Sequence, residues 1–121
     1  MKMPKALTAY AGLDVLTHAI EAYTSIYATN FSDGQAMEAA RLVYKYLKRS
    51  YQQGEKDPVA REKMHYAATM AGMAFANAFL GLCHSMAHKL GAMYHPVRYH
   101  PHQLHLHIRP GISNRRSNTN R

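Results

Sequence analysis

Apolar residues recur with a helical period along most of this chain. From Ala11 to about Ala28, Leu13, Leu16, Ile20, Tyr23 and Ile26 fall close to a 3.6-residue repeat, which predicts a helix with these residues inward. Asn30-Phe31-Ser32-Asp33-Gly34 reads as a break, and Ser32 with Gln35 three residues on fits a capping box. The next helix runs to about Tyr51, with Met37, Ala40, Val43, Tyr44 and Leu47 on one face. Lys45, Lys48 and Arg49 stand towards its C-terminal end, where the helix dipole favours positive charge. Gln53-Gly54-Glu55-Lys56 reads as a turn. Asp57-Pro58 reads as an N-cap followed by the first helical residue, and the pattern then continues to about Leu80.

The second half of that helix, Ala67 to Cys83, is 17 residues without a charge. A membrane span needs about 20 mainly apolar residues. Extending the run adds His84 and Ser85 to Thr69 and Asn77, so a buried core helix is the preferred reading and a membrane span is set aside. Ala68, Gly72 and Ala76 form a stripe of small residues that permits close approach of a neighbour. A helix apolar all round belongs in the centre of a domain. Only about three other helices are available to cover it, a first sign that covering elements lie elsewhere. Gly81 marks a bend, and a short helix follows from about Leu82 to Ala92, with Gly91 near its end.

The body, residues 1–95, is therefore expected to be all-α. Residues 96–121 change character: five Arg, several His, three Pro, and no Lys, Asp or Glu. The formal charge of +8 divides unevenly, because residues 1–95 hold 10 basic and 7 acidic side chains while the tail holds five Arg and no acid. Two readings of the tail stand side by side. One is a basic, irregular, disordered extension. The other is a reading-frame change near His95, which leaves a segment never selected to fold. A nucleic-acid partner would rest on tail charge alone and is not expected. The single Cys83 excludes an internal disulfide framework and points to a reducing compartment, and no secretory leader is visible, so a cytoplasmic location is expected.

Candidate chemistry lies in two matched spacings, Asp14-Val-Leu-Thr-His18 and His84-Ser-Met-Ala-His88. Residues at i and i+4 share a helix face, so two such helices could aim four polar groups at one point. Mixed nitrogen and oxygen donors suit a borderline divalent ion, iron(II) or zinc. Cys83 adjoins His84 but points about 100° away on a helix, and is expected to pack in the core rather than ligate. His65, with Arg61 and Lys63 nearby, reads as surface; Met64, Met70, Met73, Met86 and Met93 read mostly as core filler. The tail histidines lack helical spacing. No glycine-rich nucleotide loop and no nucleophile elbow occurs.

Three stretches carry a family resemblance: Met3 to Tyr23 with its Gly-Leu-Asp14-Val-Leu-Thr-His18-Ala-Ile-Glu-Ala-Tyr core, Asp57 to Gly81, and Gly81-Leu-Cys-His84-Ser-Met-Ala-His88-Lys-Leu-Gly-Ala92. Together they resemble the iron-dependent alcohol dehydrogenases, and most closely the alcohol dehydrogenase half of the bifunctional aldehyde-alcohol dehydrogenases. The resemblance covers about residues 3–95 and implies part of the helical metal-binding domain of a dehydroquinate synthase-like, iron alcohol dehydrogenase fold. It implies Asp14, His18 and His84 as metal ligands, Fe2+ as the ion with Zn2+ as the other candidate, and His88 as a proton-relaying residue near the nicotinamide and substrate. The family's fourth ligand lies in a His-x-Pro-His-Gly motif. Here His95 matches the first His, and the ligand position, 14 residues after His84, is Arg98. Arg carries a fixed positive charge and does not replace imidazole. The implied parent is an NAD-dependent enzyme, expected to be a homo-oligomer, that interconverts short-chain aldehydes and primary alcohols. NAD binds in a domain absent from this sequence, so the chain alone is expected to be inactive. The competing expectation is a small, non-catalytic helical metal-binding or interaction protein.

Overall fold

The computed structural model describes residues 3–94, and these form four α-helices and one short 3-10 turn, with no strand among them. The elements are α1 (Lys5–Tyr23), α2 (Asn30–Gln53), the 3-10 turn (Gly54–Lys56), α3 (Pro58–Ala78) and α4 (Leu82–Tyr94). The chain divides into two compact units, Met1–Cys83 and His84–Arg121. The all-α expectation holds for the described residues; the tail readings and Arg98 lie outside them.

Helix limits follow local chemistry that periodicity alone misplaces. α1 begins directly after Pro4, earlier than its apolar repeat suggests, and ends at Tyr23, where the Thr24 hydroxyl donates to the Ile20 carbonyl at 3.0 Å. The segment 30–34 is not a break but the first turn of α2. The capping box sits three residues earlier than expected: the Thr29 hydroxyl accepts from the Ser32 amide at 3.2 Å, and the Ser32 hydroxyl accepts from the Thr29 amide at 2.8 Å. A Ser at the third helical position closes the box as Glu or Gln would. Asp57 caps α3 as the sequence implied, accepting from the Ala60 amide at 3.0 Å. Its second oxygen pairs with Arg49, at 2.9 Å from Nε. Arg49 thus serves the start of α3; α2 runs on to Gln53 and has no basic residue in its last turn.

The core of the first unit is built from alanine. Ala19 and Ala22 of α1, Ala36 and Ala39 of α2, and Ala71, Ala74 and Ala78 of α3 form one buried cluster, flanked by Val15, Met70 and Phe75. A second cluster joins Leu42 and Val43 of α2 to Ala67 of α3, with Leu16, Leu47 and Met64 packed against it. Small side chains let helix axes approach closely. Gly12 of α1 takes this furthest, because a Cβ there would collide with the Leu47 side chain.

This corrects the expected inward faces. Leu13, Ile20 and Tyr23 of α1 are exposed, as are Ile26 beyond its end and Met37 and Tyr44 of α2. On α3 the buried stripe is Ala67, Ala71, Ala74 and Ala78, while Ala68 and Ala76 are exposed and Gly72 has nothing near a would-be Cβ. Met64 and Met70 pack at the core edge, but Met73, Met86 and Met93 are exposed. Among the described residues α1 and α2 pack against α3, and they cover only one side of it. Periodicity is blind to which apolar stripe is covered when helices carry apolar residues on two sides. No described helix is by itself long and apolar enough to cross a membrane.

Candidate metal centre

Asp14, His18 and Glu21 occupy positions i, i+4 and i+7 of α1, a single stripe of that helix. Phe75 of α3 lies against the His18 ring, centroids 4.7 Å apart and planes tilted by 32°. That contact, with Ala19 buried beside it, fixes the imidazole; His18 is only 9% exposed. Asp14 is half-buried. Its Oδ2 stands 4.0 Å from His18 Nδ1. This separation is too long for a hydrogen bond. Two donors each about 2.1 Å from one tetrahedral ion stand about 3.4 Å apart, so a small side-chain rotation would bring this pair to the separation of two donors to one ion. The donor chemistry, one carboxylate and one imidazole on a rigid helix beside an apolar wall, fits a borderline divalent cation.

The structure therefore brings Asp14 and His18 together. His84 and His88 belong to α4 in the second unit. His84, in the first turn, is buried, and His88, one turn on, is exposed. The side chains at the i and i+4 positions of α4 thus differ in environment, unlike four equivalent ligands. Cys83 is exposed rather than packed in the core. At the second position of α4 its backbone is held while its side chain faces outward, so neighbouring sequence position does not confer shared burial. His65 is exposed, as expected for a surface residue.

Glu21 is the residue that pattern reading passed over. Its carboxylate accepts from the Gly81 amide at 3.2 Å and from the Cys83 amide at 2.5 Å, tying α1 to the beginning of α4. The available signal was its place on the Asp14–His18 stripe. Ser25 and Tyr27 fasten the same corner: the Ser25 hydroxyl donates to the Ala78 carbonyl, and the Tyr27 ring meets Phe79 edge-on at 5.5 Å. A separate cleft of about 100 Å³, lined by Thr8, Gly12, Val15, Ser50, Met64 and His65 among others, contains none of the candidate donors.

Residues 8–103 match the C-terminal part of the Fe-containing alcohol dehydrogenase family. The bifunctional aldehyde-alcohol dehydrogenase of Escherichia coli strain K12 is 63% identical over 95 residues, which are 78% of this chain and 11% of that protein. The NADPH-dependent butanol dehydrogenase of Clostridium saccharobutylicum is 55% identical over 93 residues, 77% of this chain and 23% of that protein. Among solved structures, the iron-containing alcohol dehydrogenase of Thermococcus thioreducens superposes with a TM-score of 0.69 at 51% identity, covering 74% of this chain and 23% of that one. The chain thus spans between about a tenth and a quarter of the length of these relatives.

Proposed function

Because this chain belongs to the iron-containing alcohol dehydrogenase family, matching its C-terminal helical part, we propose that Asp14, His18 and His84 hold a divalent iron ion, with zinc as the competing metal. The observation that supports this most directly is the placement of Asp14 Oδ2 and His18 Nδ1 4.0 Å apart on one helix face, close to the separation of two donors sharing one cation and too far apart for a hydrogen bond between these atoms. When bound, such an ion polarises an aldehyde oxygen or acidifies an alcohol.

The chain's own residues supply the rest of the reading. Phe75 and the alanines beside His18 keep the imidazole oriented and exclude water from one side. His88, exposed on α4 one turn beyond His84, passes a proton between the substrate oxygen and solvent. The whole enzyme interconverts short-chain aldehydes and primary alcohols, with hydride moving to or from a nicotinamide cofactor. NAD is the proposed cofactor, although one relative's name specifies NADPH. The whole enzyme is cytoplasmic and a homo-oligomer in this reading.

The chain itself supplies three metal donors and no nucleotide-binding loop, and Arg98 stands where the family's fourth ligand is matched. We therefore propose that the 121-residue chain binds metal but does not turn over. A steady-state assay with ethanol, NAD and iron(II) is expected to give no rate above the His18→Ala variant. A rate clearly above that variant refutes the proposed inactivity.

A further inference from the structure

We propose that Glu21 is a positioning residue: its carboxylate clamps the first turn of α4 and so sets the point at which His84 leaves the chain. The inference rests on the metal reading above and adds to it a residue that neither ligates nor transfers a proton.

The first amides of a helix have no partner within it, and a side chain normally satisfies them. Gly81, directly before α4, has no side chain to do so. Glu21 supplies the acceptors instead, one oxygen for each of two amides: Oε2 takes the Gly81 N–H at 3.2 Å and Oε1 the Cys83 N–H at 2.5 Å. Hydrogen bonds to an ionised carboxylate are shorter and stronger than neutral ones, and the positive end of the helix dipole adds to them.

Gly81 is what admits the carboxylate. A Cβ on it would lie 3.3 Å from Glu21 Oε1 and 3.5 Å from Cδ, which leaves no slack. The neighbouring backbone is forced as well: Phe79 sits at φ 66°, ψ 174°, a region almost reserved for glycine. A corner that local propensity disfavours is thus held by contacts from α1 and the segment after it. His84 directly follows Cys83 in the chain, so the clamp holds the backbone immediately before it. Groups that orient metal ligands typically alter metal affinity by about 10–100-fold when removed.

The test uses the full chain, titrated with cobalt(II) as a visible-absorbing probe, with amide exchange followed in the metal-free protein. Glu21→Ala should weaken cobalt affinity by about 10–100-fold, shift the visible band, and speed exchange at Cys83 and His84. Glu21→Gln offers one oxygen where two are used, and should fall between Ala and wild type. Gly81→Ala, which displaces the carboxylate and keeps its charge, should weaken cobalt in the same direction. Leu42→Ala destabilises the first unit far from this corner and should leave cobalt affinity close to wild type. Glu21→Ala with wild-type affinity and band overturns the inference while the metal reading stands. So does an equal loss of affinity in Leu42→Ala, because the effect would then be general destabilisation. A wild-type chain that takes up no cobalt overturns the metal reading, and with it the role assigned to Glu21.

Discussion

Exchanging the roles of two neighbours on α2 tests the alanine core. Ala36 is 1% exposed and lies in the cluster shared by α1, α2 and α3; Met37, the next residue, is 61% exposed. Ala36→Leu forces three extra carbons between closely packed helices, and overpacking of this kind costs about 1–3 kcal/mol. Met37→Ala removes a side chain of which about two-fifths is covered. Full burial of Met contributes about 1.5–3 kcal/mol, so about 1 kcal/mol is at stake. Alanine's better helix propensity returns a few tenths of that. In a unit of this size about 1 kcal/mol moves the melting temperature by roughly 4–8 °C. Ala36→Leu should therefore lower the midpoint by roughly 5–20 °C, and Met37→Ala by less than about 6 °C. Thermal denaturation followed by far-ultraviolet circular dichroism reads both. If Met37→Ala proves the more damaging, the apolar repeat and not the alanine stripe marks the core, and the packing described above is wrong.

Other predictions concern single local devices. Asp57's carboxyl is held below its ordinary value, first by the Ala60 amide and then by Arg49, with desolvation opposing. A depressed native value means that this contribution to stability is complete above the unfolded value of 3.8 and is lost as pH falls through the native one. Asp57→Asn should flatten the acid side of the stability profile, and Arg49→Ala should flatten it less, as chemical denaturation between pH 2 and pH 6 would show. Gly54 has φ 55° with nothing near a would-be Cβ, whereas Gly34 lies in open space within α2. Gly54→Ala should cost about 1–2 kcal/mol through its backbone alone. Gly34→Ala should stabilise by about 0.5–1 kcal/mol. His88→Ala should leave cobalt affinity within about two-fold of wild type, because His88 is assigned to the proton path and not to the ion; a loss of about 10-fold or more would make it a ligand.

The helices were legible because strong periodic segments and the Asp57-Pro58 start carry their own signals. Which faces they bury was not. α1 presents Leu13, Ile20 and Tyr23 on one side and Gly12, Ala19 and Ala22 on another, and hydrophobicity favours the first although packing uses the second. Small residues win because only they permit the close approach seen at Gly12 against Leu47. The Thr29–Ser32 capping box was hidden by Asn30 to Gly34, turn-like residues that the first turn of a helix also accepts. Asp14 and His18 could be read from spacing and resemblance, since i and i+4 positions keep their geometry wherever the helix packs. Glu21 shares their stripe, but its role could not be read, because its partners are backbone amides 60 and 62 residues away, which leave no trace in residue type apart from Gly81.

The central claim is that this chain holds a divalent ion through Asp14, His18 and His84, and isothermal titration with zinc(II) and iron(II) under anaerobic conditions tests it most directly. The background should be a full-length variant with His100, His102, His105 and His107 changed to alanine, so that the His-rich tail cannot supply the heat. One equivalent of metal should bind, and Asp14→Ala, His18→Ala and His84→Ala should each abolish or severely weaken that binding. Binding that survives all three substitutions, or that vanishes with the tail histidines alone, would contradict the account.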